Sequence, residues 1–143
     1  MSKQKQNLSV NHPLEQLTAE EIESATDILE AKSDLGDGVQ YHNVTLNEPP
    51  KSFIREFESG DSFDRKLDIV AREDRETYEA TVSVTDEELL SCEHVPGVEP
   101  AVMPEEIEAA RETVKSDPKW REAAKKRGVE EFDLVMVDPW SAS

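Results

Sequence analysis

The 143-residue chain has a single cysteine, Cys92, so no internal disulfide can form. It has only 5 glycines, none in a G-x-G-x-x-G or G-x-x-x-x-G-K pattern, which excludes the common phosphate-cradling loops. No apolar run approaches the roughly 20 residues of a membrane-spanning helix, and Met1–Asn7 lacks the apolar stretch of a secretory signal. Basic residues are scarce, with 16 Lys+Arg against 33 Asp+Glu and a formal net charge of −17. Neutralising phosphates takes clustered Lys and Arg, so nucleic acid and anionic membrane surfaces are excluded as partners. The expected compartment is the cytoplasm. Aromatics are few at 6%, and hydrophobic residues reach only 36%. The acidic excess runs along the whole chain, as expected of an acidic soluble protein or, more sharply, of adaptation to high salt, where counterions screen self-repulsion.

What is present is periodicity. Residues 1–11 are polar and read as a disordered tail. Thr18 is an expected N-cap, with Glu21 completing a capping box and Leu17 stapling to Ile22. Ile22, Ala25 and Leu29 form the expected apolar stripe, flanked by Ile28, and Gly36 and Gly38 close the segment. Val39–Leu46 alternates weakly, with His42, Val44 and Leu46 on one face, and Pro49-Pro50 ends it. Lys51–Phe57 is a short amphipathic turn or helix. Leu67, Ile69 and Ala71 in one run, and Tyr78, Ala80, Val82 and Val84 in the next, mark two strands of a hairpin across Arg72–Arg75. A fourth strand is expected through Leu90 and Cys92, although Thr85-x-x-Glu88 offers a competing helix cap. One helix and four meandering strands make an α+β unit, a sheet wrapped on one helix, over residues 12–95.

Pro96-Gly97-Val98-Glu99-Pro100 marks a boundary. Beyond it, Pro104 opens a helix with Ile107, Ala110 and Val114 inward. Asp117-Pro118 opens another, with Trp120, Ala123 and Ala124 inward and Gly128 as its stop. Leu134–Val137 reads as a strand ended by Asp138-Pro139-Trp140. Two helices and one strand are an incomplete layer, so residues 96–143 read as the opening part of a second domain.

No catalytic, cofactor-binding or metal-binding residue can be assigned from these patterns. His12, His42 and His94 share no metal-ligand spacing. Cys92 reads as a small buried hydrophobe, and Trp120 as a core residue rather than part of a ligand site. Glu20-Glu21, Glu87-Glu88 and Glu105-Glu106 sit at element starts, where a helix-dipole role or a solvated face explains them.

Three stretches in order are more specific: His12-Pro-Leu-Glu-Gln-Leu-Thr-Ala-Glu-Glu-Ile22, Val44-Thr-Leu-Asn-Glu-Pro-Pro-Lys51 and Asp133-Leu-Val-Met-Val-Asp-Pro-Trp-Ser-Ala142. With the Pro96–Pro100 connector, they resemble the N-terminal region of copper-containing, topaquinone-dependent primary-amine oxidases over about residues 11–143. The resemblance implies two small cystatin-like α+β domains, the first at 12–95 and the second truncated at 96–143. They would precede a catalytic domain with copper on three histidines, a topaquinone made from tyrosine, and an aspartate base. It further implies homodimers that oxidise primary amines to aldehydes, releasing ammonia and hydrogen peroxide. No catalytic position carries over: Tyr41 sits in Gln-Tyr-His and Tyr78 in Thr-Tyr-Glu rather than Asn-Tyr-Asp/Glu, and no H-x-H pair exists. Ser143 stands where the family usually has glycine. The chain is thus expected to be a non-catalytic N-terminal portion, inactive alone, in the form of a fragment or split subunit. The alternative is a free-standing cystatin-like interaction module, although the Gln-x-Val-x-Gly hairpin of cystatin inhibitors is missing.

Overall fold

The computed structural model describes residues 10–140, so most of the expected tail and Ser143 lie outside the described residues. The chain divides after Pro100 into two compact units.

In the first unit, helix α1 spans Ala19–Lys32. Thr18 and Glu21 form the full capping box: the Glu21 amide donates to Thr18 Oγ1 at 3.1 Å, and the Thr18 amide to Glu21 Oε2 at 2.9 Å. Strands β1 (Gln40–Leu46), β2 (Lys66–Glu73), β3 (Glu76–Ser83) and β4 (Glu88–Val95) form one antiparallel sheet in sequence order. A short helix, α2 (Lys51–Glu56), fills the β1–β2 connection. Asp74 and Arg75 close the β2–β3 hairpin with φ of +49° and +70°. Two successive positive φ values are the type I′ geometry that matches strand twist.

The core lies between α1 and one face of the sheet. Ala25, Ile28 and Leu29 pack on Leu67, Ile69, Ala71, Ala80, Val82 and Val84. The helix stripe differs from the expected one. Ile22 is exposed and Ile28 is buried, because the stripe begins at the charged residue Glu21 and runs 21, 25, 28, 29. Two bulges also shift strand parity. Tyr41 pairs with Ala71 and Asn43 with Val70, which leaves His42 as the extra residue. Tyr41 therefore takes the core-side place expected of His42 and packs against the core with Val44. In β4, Ser91 pairs with Thr81 and Leu89 with Val82, so Leu90 is the extra residue. Leu89 and Cys92 face the core, and Leu90 is exposed.

The second unit holds α3 (Pro104–Ser116) and α4 (Pro118–Lys126). Asp117 caps α4 by accepting the Trp120 amide at 2.7 Å. Gly128, at φ +83°, ends it: the Gly128 amide donates to the Lys125 carbonyl and the Val129 amide to the Ala124 carbonyl. This pair of bonds is a complete Schellman motif. The strand expected at Leu134–Val137 is absent. A 3-10 turn occupies Phe132–Leu134, and the extended residues after it pair with no other strand among the described residues. A strand needs a ladder partner for its backbone groups. Here side chains serve instead, with Lys115 Nζ donating to the Asp133 carbonyl at 3.1 Å and Arg111 Nε to the Val137 carbonyl at 3.0 Å.

Candidate functional site

The side chains with chemical potential are dispersed, and each is engaged locally. The His12 ring meets the edge of Phe57 at 5.2 Å. His42 sits in the β1 bulge. His94 Nε2 lies 2.6 Å from Glu76 Oε2 on the exposed end of the β3–β4 pair, and its ring packs beside Tyr78. The Tyr41 hydroxyl donates to Glu30 Oε1 at 2.5 Å. Burial raises its pKa, and the Glu30 carboxylate raises it further, so Tyr41 stays a neutral phenol. Burial likewise pushes the Cys92 thiol up, with Asp34 adding to it, which makes Cys92 an unreactive half-buried side chain.

Of the paired acids, Glu106 caps α3 by accepting the Met103 amide at 2.8 Å. Glu87 occupies a turn at φ +54°, and its carbonyl accepts from Lys32 Nζ at 2.5 Å. Glu21 does more than the expected capping, because it is paired with Arg65. Sequence reasoning missed Arg65, the residue just ahead of β2, which is wholly buried. All five of its N–H donors are used. Nε donates to Glu21 Oε1 at 2.7 Å, and Nη1 to the carbonyls of Pro13 and Glu15 at 2.9 and 3.0 Å. Nη2 donates to the Gln16 carbonyl at 3.3 Å and Glu21 Oε2 at 3.0 Å. Burial alone would raise the Glu21 carboxyl, but the Arg65 guanidinium and the Thr18 amide outweigh it and hold it below the ordinary glutamate range. The available signal was the motif itself, which brings three carbonyls and a carboxylate near one another and so needs a cation.

Copper chemistry finds no fit here. Among the described residues, no group of three His, Cys, Asp or Glu side chains converges to hold a metal ion. What the arrangement offers is packing and contact surface. In the second unit, Val135 and Val137 are half-buried, whereas Leu134, Met136 and Trp140 are 80%, 86% and 86% exposed. Trp120, half-buried, meets Phe132 edge-on at 5.7 Å, with Arg121 and Lys125 over the same ring.

A helix backed by this four-stranded meander, opened by a capped H-P-L-x-x-L-T-x-x-E segment, can be compared with known proteins. The family model described as the AGAO-like N2 domain matches residues 18–92, which cover α1 and most of the sheet. The chain belongs to this family, from the N-terminal region of copper amine oxidases. Relatives of this amine-oxidase N-terminal chain are consistent with that. A primary amine oxidase of Arthrobacter sp. (strain P1) is 30% identical over 140 residues, covering 94% of this chain and 21% of the relative. The peroxisomal copper-containing diamine oxidase 1 of Nicotiana tabacum is 29% identical over 167 residues, covering 90% of this chain and 21% of the relative. The crystal structure of a copper-containing benzylamine oxidase from Hansenula polymorpha shares the fold. Its TM-score is 0.71 at 16% identity, over 83% of this chain and 20% of that one. The chain thus spans about a fifth of the length of the relatives it matches.

Proposed function

We propose that this chain is the non-catalytic N-terminal portion of a copper and topaquinone amine oxidase. The complete enzyme would oxidise primary amines to aldehydes with release of ammonia and hydrogen peroxide. The observation that carries the reading is that relatives named as amine oxidases match nine-tenths or more of this chain over only about a fifth of their own length. The chemistry then belongs to the remaining four-fifths, and this portion supplies packing surface. Residues 12–95 act as the first small domain, of cystatin-like shape, and residues 96–143 as the opening of the second. The partner is the remainder of the oxidase, assembled as a homodimer in the cytoplasm, and the acidic surface suits a salty interior.

The test has two arms. Copper analysis, quinone staining and amine-dependent peroxide release on the chain alone should all be negative, and stoichiometric copper or turnover would sink the reading. Supplied in trans, the chain should bind the catalytic portion of a related oxidase. If it binds no such portion yet captures an unrelated protein, the chain is an interaction module instead.

A further inference from the structure

The H-P-L-x-x-L-T-x-x-E segment has a physical purpose that the amine-oxidase reading does not use. We propose that residues 10–17 are a latched strap, closed by the Arg65 guanidinium, which swings off the first unit in one piece while the four strands stay paired.

Three observations carry this. First, the strap joins no ladder. Its one backbone–backbone bond among the described residues is internal, from the Glu15 amide to the His12 carbonyl at 3.1 Å. Other amides are also held locally, Asn11 by Glu15 Oε1 at 2.8 Å and Leu14 by His12 Nδ1 at 3.1 Å. Second, the polar tie to the rest of the unit is concentrated in one side chain, since Arg65 reaches the carbonyls of Pro13, Glu15 and Gln16. A buried guanidinium gains only when every donor is met, so these three bonds make or break together. Third, what lies beneath is apolar: Val10 and Pro13 are buried, Leu17 packs on the core, and His12 covers the edge of Phe57. Opening uncovers Phe57 beside Phe53 and Phe63, whose ring centroids lie 6.2 and 5.6 Å from it, and so exposes an aromatic face at the α2 end of the unit.

A segment with local amides, side-chain anchoring and no ladder belongs to the low-stability end of a structure. Hydrogen exchange on the full 143-residue chain, at sub-denaturing urea, tests this. In the wild type, the amides of Asn11, Leu14 and Glu15 should exchange through an opening nearly independent of urea. Those of Ile69 and Val82 should follow the steep urea dependence of global unfolding. Arg65→Lys keeps the charge but cannot span the three carbonyls, so it should lower strap protection by about tenfold while the strap keeps its shallow urea slope; strand protection should fall by that factor or more, because the strap is also released in global unfolding. His12→Ala removes the ring contact and the acceptor of the Leu14 amide but none of the Arg65 bonds, so its effect, read at Asn11 and Glu15, should be smaller than that of Arg65→Lys. If Arg65→Lys loses its cooperative melt, the wild-type urea slopes decide. Strap amides that share the slope of the strands in the wild type, or strap protection left unchanged in a folded Arg65→Lys chain, would overturn the proposal.

Discussion

The two units differ in what they bury. The first encloses Ala25, Ile28, Leu29, Leu67, Ile69, Ala71, Ala80, Val82 and Val84 in one cluster. In the second, no residue of α3 or α4 is fully buried, and the apolar faces at Ile107, Val114, Trp120 and Phe132 are only half-covered. Charge differs too, with 23 Asp+Glu against 9 Lys+Arg in residues 1–100 and 10 against 7 in residues 101–143. A closed core can carry a heavy one-sign surface because burial offsets the repulsion. A pair of short helices without a sheet has little burial to spend, and it leans on local devices such as caps, the Schellman turn and cations bonded to carbonyls. The lesson is that stability in one chain can rest on tertiary packing in one unit and on local hydrogen bonding in the other.

The sharpest way to break this contrast is to empty the core. Leu29→Ala or Ile69→Ala should cost about 2–5 kcal/mol, read as a fall in the urea midpoint. The matching change Val114→Ala in α3 should cost about 1 kcal/mol or less and leave the main transition in place. Equal costs in the two units would abolish the contrast.

Arg65→Met comes next, because it leaves Glu21 buried without its counter-charge. The expected loss is about 3–5 kcal/mol. The same pair sets an acid limit. Glu21 is held below its ordinary value, so its stabilisation is full above the unfolded-state pKa of about 4.3 and is lost as pH falls through the lower folded value. Between about pH 5 and pH 3, the window that brackets the unfolded value, the melting temperature of the wild type should fall more than that of Glu21→Gln. Parallel falls would remove Glu21 as the titrating group.

Added salt should act mainly on the first unit. Screening at molar potassium chloride relieves repulsion among its 23 carboxylates. Its core amides should gain protection, and those of α3 and α4 should change less. A flat response in Leu67–Val84 would refute the high-salt reading of the composition.

How much of this was legible follows from where local rules decide. The Thr18–Glu21 box, the Asp117 cap and the Gly128 stop depend on a few neighbouring residues, and the structure holds each as the sequence implies. The strands β1, β2 and β3 were equally clear and β4 less so, since Thr85-x-x-Glu88 offered a helix cap, whereas strand facing was not clear. Two bulges, at His42 and Leu90, each reverse parity on one side, and a bulge has no fixed sequence signature without glycine. Ile22 was misplaced because an apolar stripe is assumed to contain no charge, and Glu21 occupies its first position. Arg65 escaped because its partners lie 44 to 52 residues away. The strand at Leu134–Val137 failed for a different reason: alternation describes a face, but a strand also requires a neighbour. The same reasoning explains why the site was illegible, since contact surfaces carry no spacing rule comparable to that of metal ligands.

The smallest expected effect isolates the local half of the contrast. Gly128 stands at φ +83°, and beyond its two chain neighbours no heavy atom lies within 4 Å of where a Cβ would be placed. Space is therefore no obstacle to alanine, and the whole penalty comes from the left-handed backbone, about 1–2 kcal/mol. If α4 ends through its own Schellman bonds, Gly128→Ala should weaken the amides of Gly128 and Val129, whose carbonyl partners lie at Lys125 and Ala124. The last turn should fray back toward Ala123. The core strands of the first unit should keep their protection, because nothing in their packing depends on that turn. Exchange measured residue by residue would show this directly. Loosening that spreads from Gly128 into Leu67–Val84 would mean that the two units share one cooperative transition, and local capping could then no longer be separated from the tertiary core.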